Sequence, residues 1–118
     1  MYKLFLDDIR YPKDVKWVEL PLGPWAIVKD YKAFVRHIER HGLPSYVTFD
    51  HDLAEEHYLP EVKEVTYSEK TGYDCAKWLV NYCMEKGLTF PEYSVHSMNP
   101  IGKENIISYI ESFKKCQR

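Results

Sequence analysis

Three times in 118 residues, a short apolar or β-prone run stops at a cluster of side chains that ionise or hydrogen-bond. Leu4-Phe5-Leu6 ends in Asp7-Asp8, Tyr46-Val47-Thr48-Phe49 in Asp50-His51-Asp52, and Tyr93-Ser94-Val95 in His96-Ser97. Such runs read as strands buried on both faces, and the polar residues mark where each strand leaves the core. Trp25-Ala26-Ile27-Val28 reads as one more strand. Helical patterns separate the later runs, so the expected class is α/β, with right-handed crossovers joining the strands into a parallel sheet. Ligands of such sheets bind beyond the carboxyl ends of the strands, where all three polar clusters fall. One pocket assembled from residues distant in sequence is the main functional expectation.

Caps and periodicity place the helices. Asp30 caps a helix with apolar positions Tyr31, Phe34, Val35 and Ile38, stopped by Gly42. From about Thr71 to Lys86, Cys75, Ala76, Leu79, Val80, Cys83 and Met84 form an apolar face that Gly87 ends. Asn99 caps a last helix with Pro100 at its first position and Ile106, Ile107, Ile110 and Phe113 as its buried stripe. Between the first two strands, Pro12, Pro21, Gly23 and Pro24 predict an irregular crossover. Ala54 to Lys70 is polar and rich in Glu, an insertion that can cover the rim as a lid.

A chain of 118 residues is expected to form one domain, residues 1–118, and a 45% hydrophobic, 29% charged composition is that of a soluble globular protein. A net charge of -2 excludes a broad basic platform for nucleic acid but allows a local cationic pocket for one phosphate. Cys75, Cys83 and Cys116 form no C-x-x-C pair and are expected to be reduced thiols. With no export signal and no apolar run of membrane length, the expected location is cytoplasmic, without a membrane partner.

Leu6-Asp7-Asp8-Ile9-Arg10, Phe49-Asp50-His51-Asp52-Leu53, Thr71-Gly72-Tyr73-Asp74 and Val95-His96-Ser97-Met98-Asn99-Pro100 resemble the motifs of the cyclic-phosphate processing receiver-like family. The resemblance spans nearly the whole chain. It implies a small receiver-like (flavodoxin-like) three-layer sandwich on a mainly parallel sheet of about four strands, ordered 2-1-3-4. Response-regulator receivers, similar in fold, bear an acidic pair after the first strand, a phosphoacceptor Asp after the third and a Ser or Thr after the fourth. Asp7, Asp8, Asp50 and Ser97 match those positions, with Asp52 a rival to Asp50 in the same turn. Two departures matter. The helix after the fourth strand is expected to be the last element, leaving little room for the fifth strand whose Lys reads an acyl phosphate. His51 and His96 stand where receivers need no proton-transfer groups.

These departures favour an enzyme, a phosphoesterase acting on cyclic phosphates such as the 2′,3′-cyclic ends of RNA or nucleotides. His51 and His96 suit it, since one can take a proton from water while the other gives one to the leaving ribose oxygen. Asp50 is grouped with them as a catalytic candidate. Asp7, Asp8, Asp50 and Asp52 are the candidate ligands of a magnesium ion, a hard cation that favours oxygen, and no organic cofactor is expected. Asp8 and Asp52 serve equally well as turn residues that satisfy backbone groups. Arg10 can fork onto phosphate or pair with the aspartates before it. Ser97, Asn99 and the last helix's N-terminus form a second anion candidate, with plain capping by Asn99 as the simpler alternative, and Lys103 can approach an anion there. His37, His41 and His57 are assigned to the surface. Trp25, Tyr31, Trp78 and Tyr82 are assigned to packing, while Tyr58, Tyr67 and Tyr73 are open to base stacking. The alternatives are a non-catalytic receiver-like module, phosphorylated on Asp50 or binding a protein partner at the same rim, and a metal-dependent nuclease.

Overall fold

Short β-prone runs pair where their apolar side chains can be covered on both faces, and the four runs do so in one sheet. The computed structural model describes residues 2–51 and 71–116. In chain order it contains β1 (Lys3–Leu6), a 3-10 turn (Pro12–Asp14), β2 (Trp25–Val28), α1 (Tyr31–His41), β3 (Tyr46–Phe49), α2 (Gly72–Lys86), β4 (Glu92–Val95) and α3 (Pro100–Cys116). The strands are all parallel and ordered β2-β1-β3-β4, the order that the resemblance implied. The expected lid, with Asp52, His57, Tyr58 and Tyr67, lies outside the described residues.

Register positions the site. Leu6 pairs with Val28 and Phe49, and Phe49 with Val95, so the four strands end level with one another. The ladder runs one step further, with the N–H groups of Asp7, Asp50 and His96 donating to the carbonyls of Val28, Leu6 and Phe49 at 3.1, 3.0 and 2.9 Å. Side chains alternate along a strand, so these three residues point away from the face that Leu6, Phe49 and Val95 occupy.

That apolar face is the core. Leu4, Leu6, Val28, Val47, Phe49 and Val95 pack with Phe34 and Ile38 of α1, Leu79 and Cys83 of α2, and Ile106 and Ile110 of α3. All three helices therefore lie on one side of the sheet. The step from β1 to β2 runs opposite in direction to the later steps, so a right-handed connection places it on the other side. There the Pro-rich crossover forms the third layer. Its Val15 is buried, and the Trp17 indole N–H donates to the carbonyl of His96 at 2.8 Å. Cys75, Cys83 and Cys116 are free thiols, and no helix among the described residues is long and apolar enough to cross a membrane.

The Thr71-Gly72-Tyr73-Asp74 motif is explained locally. The Asp74 carboxylate accepts from the Thr71 N–H at 2.8 Å and the Thr71 hydroxyl accepts from the Asp74 N–H at 3.4 Å, a reciprocal cap at the start of α2. Gly72 lies between them because no side chain fits: a Cβ there would stand 1.6 Å from the Asp50 carbonyl oxygen. The absent side chain lets α2 begin directly against the end of β3, with the Gly72 N–H donating to the His51 carbonyl at 2.7 Å. Gly72→Ala must push β3 and α2 apart, and is expected to cost roughly 3 kcal/mol in thermal or denaturant unfolding. An unchanged melting temperature would show that this close approach is not required.

Candidate functional site

Asp7, Asp50 and His96 leave β1, β3 and β4 at one level and turn to the same face. Asp7 and His96 are fully buried and Asp50 is 5% exposed. Two carboxylate oxygens and an imidazole nitrogen, one from each residue, lie within 4.8 Å of one another.

His96 reaches across β3 to join Asp7. Its ring stacks on Phe5, with centroids 4.7 Å apart and planes 10° from parallel, and its Nδ1 lies 2.9 Å from Thr48 Oγ1. The Ser94 hydroxyl donates to Thr48 Oγ1 at 2.9 Å, which leaves the buried Thr48 hydroxyl to donate to Nδ1. The ring's own proton then sits on Nε2 and is donated to Asp7 Oδ2 at 2.9 Å. Asp7 Oδ1 meanwhile accepts from the N–H groups of Ile9 and Arg10, each at 2.9 Å.

The two carboxylates are held differently. Burial pushes the Asp7 carboxyl up, but the His96 hydrogen bond and the Arg10 and Ile9 N–H donors outweigh it and hold Asp7 below the usual carboxylate range. Among the described residues, the His51 N–H donates to Asp50 Oδ1 at 2.9 Å. Burial and then the Asp7 charge raise its carboxyl to about 7, against a smaller lowering by that N–H and by Arg10. Asp8 is half-buried beside them, and its charge raises Asp50 further. Buried carboxylates lying close together and presenting hard oxygen donors are compatible with a divalent-cation site. Asp7 and Asp50 would supply the oxygens. His96, its Nε2 proton already given to Asp7, orients that carboxylate in the manner of an outer partner.

Arg10 closes one side of the cluster. Its guanidinium lies 3.5 Å from Asp7 Oδ2 and is one-third exposed, so the ion pair weighed as an alternative does form and still leaves donors facing outward. On the other side, the His51 ring lies where a Cβ on Gly102 would be, 2.4 Å from its Cγ, so the imidazole packs against the first turn of α3. The Ser97 hydroxyl accepts from the Asn99 N–H at 3.0 Å, and Asn99 Oδ1 from the Gly102 N–H at 3.0 Å. Asn99 therefore does cap α3. A hydroxyl that accepts one bond keeps its proton to donate, which leaves Ser97 able to meet an anion.

Two placements differ from expectation. His96 is expected at an open rim and is instead fully enclosed, because its ring is drawn across the sheet between Phe5, Thr48 and Asp7. Lys103 is expected near the anion site but lines a groove along β4 with Val18, Tyr93, Ser94 and Glu111. One residue further round α3 than Gly102, it faces away from His51. Asp52 lies outside the described residues. Tyr73 packs edge-on against Tyr109.

Sequence reasoning missed Thr48, Ser94 and Trp17. The first two look like ordinary β-prone residues, and only pairing across β3 and β4 gives their hydroxyls a role. Trp17 carried a usable signal, a large aromatic in a Pro-rich segment without periodicity, where no helix or strand face accounts for it.

Compared with known protein families, residues 2–112 match the model of the cyclic-phosphate processing receiver domain. No curated protein and no solved structure matches the chain.

The raised Asp50 carboxyl makes stability depend on pH in a definite direction. Its folded value of about 7 exceeds the ordinary 3.8, so the folded state holds more protons in between, and the resulting stabilisation is lost as pH rises through about 7. Asp50→Asn is therefore expected to be more stable than the parent at pH 8, by on the order of 2 kcal/mol after allowing for solvent screening, with the gap closing towards pH 5. Thermal unfolding at the two pH values decides it. An Asn variant less stable at pH 8 would contradict the electrostatic account.

Proposed function

The chain belongs to the cyclic-phosphate processing receiver domain family, and from that premise we propose that it is a phosphoesterase that opens a cyclic phosphodiester to a monoester, with 2′,3′-cyclic ends of RNA or nucleotides as candidate substrates. The observation that carries the proposal is the convergence of buried Asp7, Asp50 and His96 within 4.8 Å, with a partly exposed guanidinium on one side and an imidazole on the other.

In this proposal Arg10 binds a phosphoryl oxygen through the donors it does not give to Asp7, and Ser97 supplies a second hydrogen bond. His51, next to Asp50 and beside the first turn of α3, exchanges a proton with water or with the leaving ribose oxygen. A carboxyl poised near 7 lets Asp50 share that exchange when no cation is bound. His96 acts through Asp7, fixing the orientation of its carboxylate rather than meeting the substrate. A divalent cation such as Mg2+, held by Asp7 and Asp50, would polarise the phosphoryl group and offset the paired negative charges.

Phosphorus NMR of the protein with a 2′,3′-cyclic nucleotide, with magnesium and with chelator, tests the proposal. Conversion to a monoester is expected, with His51→Ala lowering the rate about 100-fold or more and Arg10→Ala raising KM. Chelator should slow the reaction if the cation takes part. Folded protein that hydrolyses no cyclic phosphate, yet forms a lasting phosphoaspartate on Asp50 with acetyl phosphate, would overturn it in favour of a receiver-like phosphoacceptor.

A further inference from the structure

Trp17 is 42% exposed, although its indole N–H is already satisfied by the His96 carbonyl at 2.8 Å. A tryptophan that served only to pin the crossover would gain by burying its ring. This ring is instead held out at the edge of the acidic cluster. The Arg10 guanidinium lies 5.2 Å from its centroid, close enough for a cation–π contact, while also reaching Asp7 Oδ2 and Met98 Sδ at 3.5 Å each. Met98 is itself 64% exposed, and Tyr11 and Ile9 stand exposed in the same crossover. Among the described residues, a rigid aromatic surface thus adjoins the cation best placed to hold phosphate.

We propose that Trp17, ordered by its bond to the His96 carbonyl and flanked by Arg10, is the stacking platform for the nucleobase next to the cyclic phosphate. It makes the enzyme selective for cyclic phosphates that carry an aromatic base. The inference rests on the phosphoesterase reading above and adds a residue that discriminates among its substrates. The chemistry suits the task, because a planar indole and a planar guanidinium both stack on any base, whereas the hydrogen bond at the indole edge resists rotation of the ring. Selection by a π-face distinguishes a nucleotide from a sugar or polyol phosphate without reading which base is present. Trp17 stands apart from the reacting atoms, so its contribution belongs in KM and not in kcat.

The test compares adenosine 2′,3′-cyclic phosphate with glycerol 1,2-cyclic phosphate, which presents the same reacting group without a base, in the parent protein, Trp17→Leu and Trp17→Phe. Trp17→Leu should raise KM for the adenosine substrate about tenfold and leave the glycerol substrate unchanged, while Trp17→Phe, which keeps a π-face but loses the ordering bond, should recover part of the loss. Equal effects of Trp17→Leu on both substrates, or a Phe variant no better than Leu, would make Trp17 a structural clamp and overturn the inference while leaving the phosphoesterase intact. If neither substrate is hydrolysed, the phosphoesterase proposal fails by itself, and the platform is read by the NMR signal of the Trp17 indole N–H. A shift with adenosine 3′-monophosphate and none with inorganic phosphate would uphold base stacking, and no shift with either would reject it.

Discussion

Asp7 and Asp50 leave adjacent in-register strands, about 5 Å apart in a sheet of this kind, and their buried carboxylates lie close together. Like charges so placed cannot both be left uncompensated. The fold resolves the conflict unevenly. Asp7 receives the His96 imidazole, two backbone N–H groups and Arg10, and is held as a carboxylate. Burial and the Asp7 charge drive Asp50 up to about 7. A site with one committed anion and one carboxyl poised near neutrality can hold a cation or exchange a proton, and both uses depend on keeping the first charge fixed.

Much of the surrounding structure serves that fixed charge. Ser94 and Thr48 set the His96 tautomer, and Phe5 supports its ring. The crossover that carries Trp17 also carries Arg10, so the group that pairs with Asp7 and the aromatic proposed to meet the base arrive on one segment, anchored at both ends of the site. On the other side two glycines bring α2 and α3 into contact with the β3 turn, Gly72 against the Asp50 carbonyl and Gly102 against the His51 ring. The site is therefore built on strand ends and helix starts, which are stiffer supports than a free loop.

The legible part of the fold was its alternation. Four apolar runs, the caps Asp30 and Asn99, the helix start near Thr71 and the helix stops at Gly42 and Gly87 appear at the expected places. These features are local, set by burial and by backbone groups that need partners within a few residues. The polar clusters were legible as a shared rim for the same reason: a strand that stays apolar until its last residue must shed its polar residues where the sheet ends. Lys103 shows the limit, since adjacency to an N-cap says nothing about which side of the helix a residue takes, and it faces the β4 groove instead of the site.

From sequence alone came the element order, the acidic and histidine residues at the strand ends, and the irregular path from Ile9 to Pro24, because composition and short-range spacing are enough to specify them. Tertiary structure decided which of those residues meet. Register placed Asp7, Asp50 and His96 level, and an intervening Thr48, small enough to meet the ring edge at Nδ1, let His96 cross to Asp7 and become buried. It also set Trp17 beside Arg10. These outcomes depend on pairings between residues up to 89 apart in the chain, and no local propensity encodes a contact that exists only once the sheet has closed.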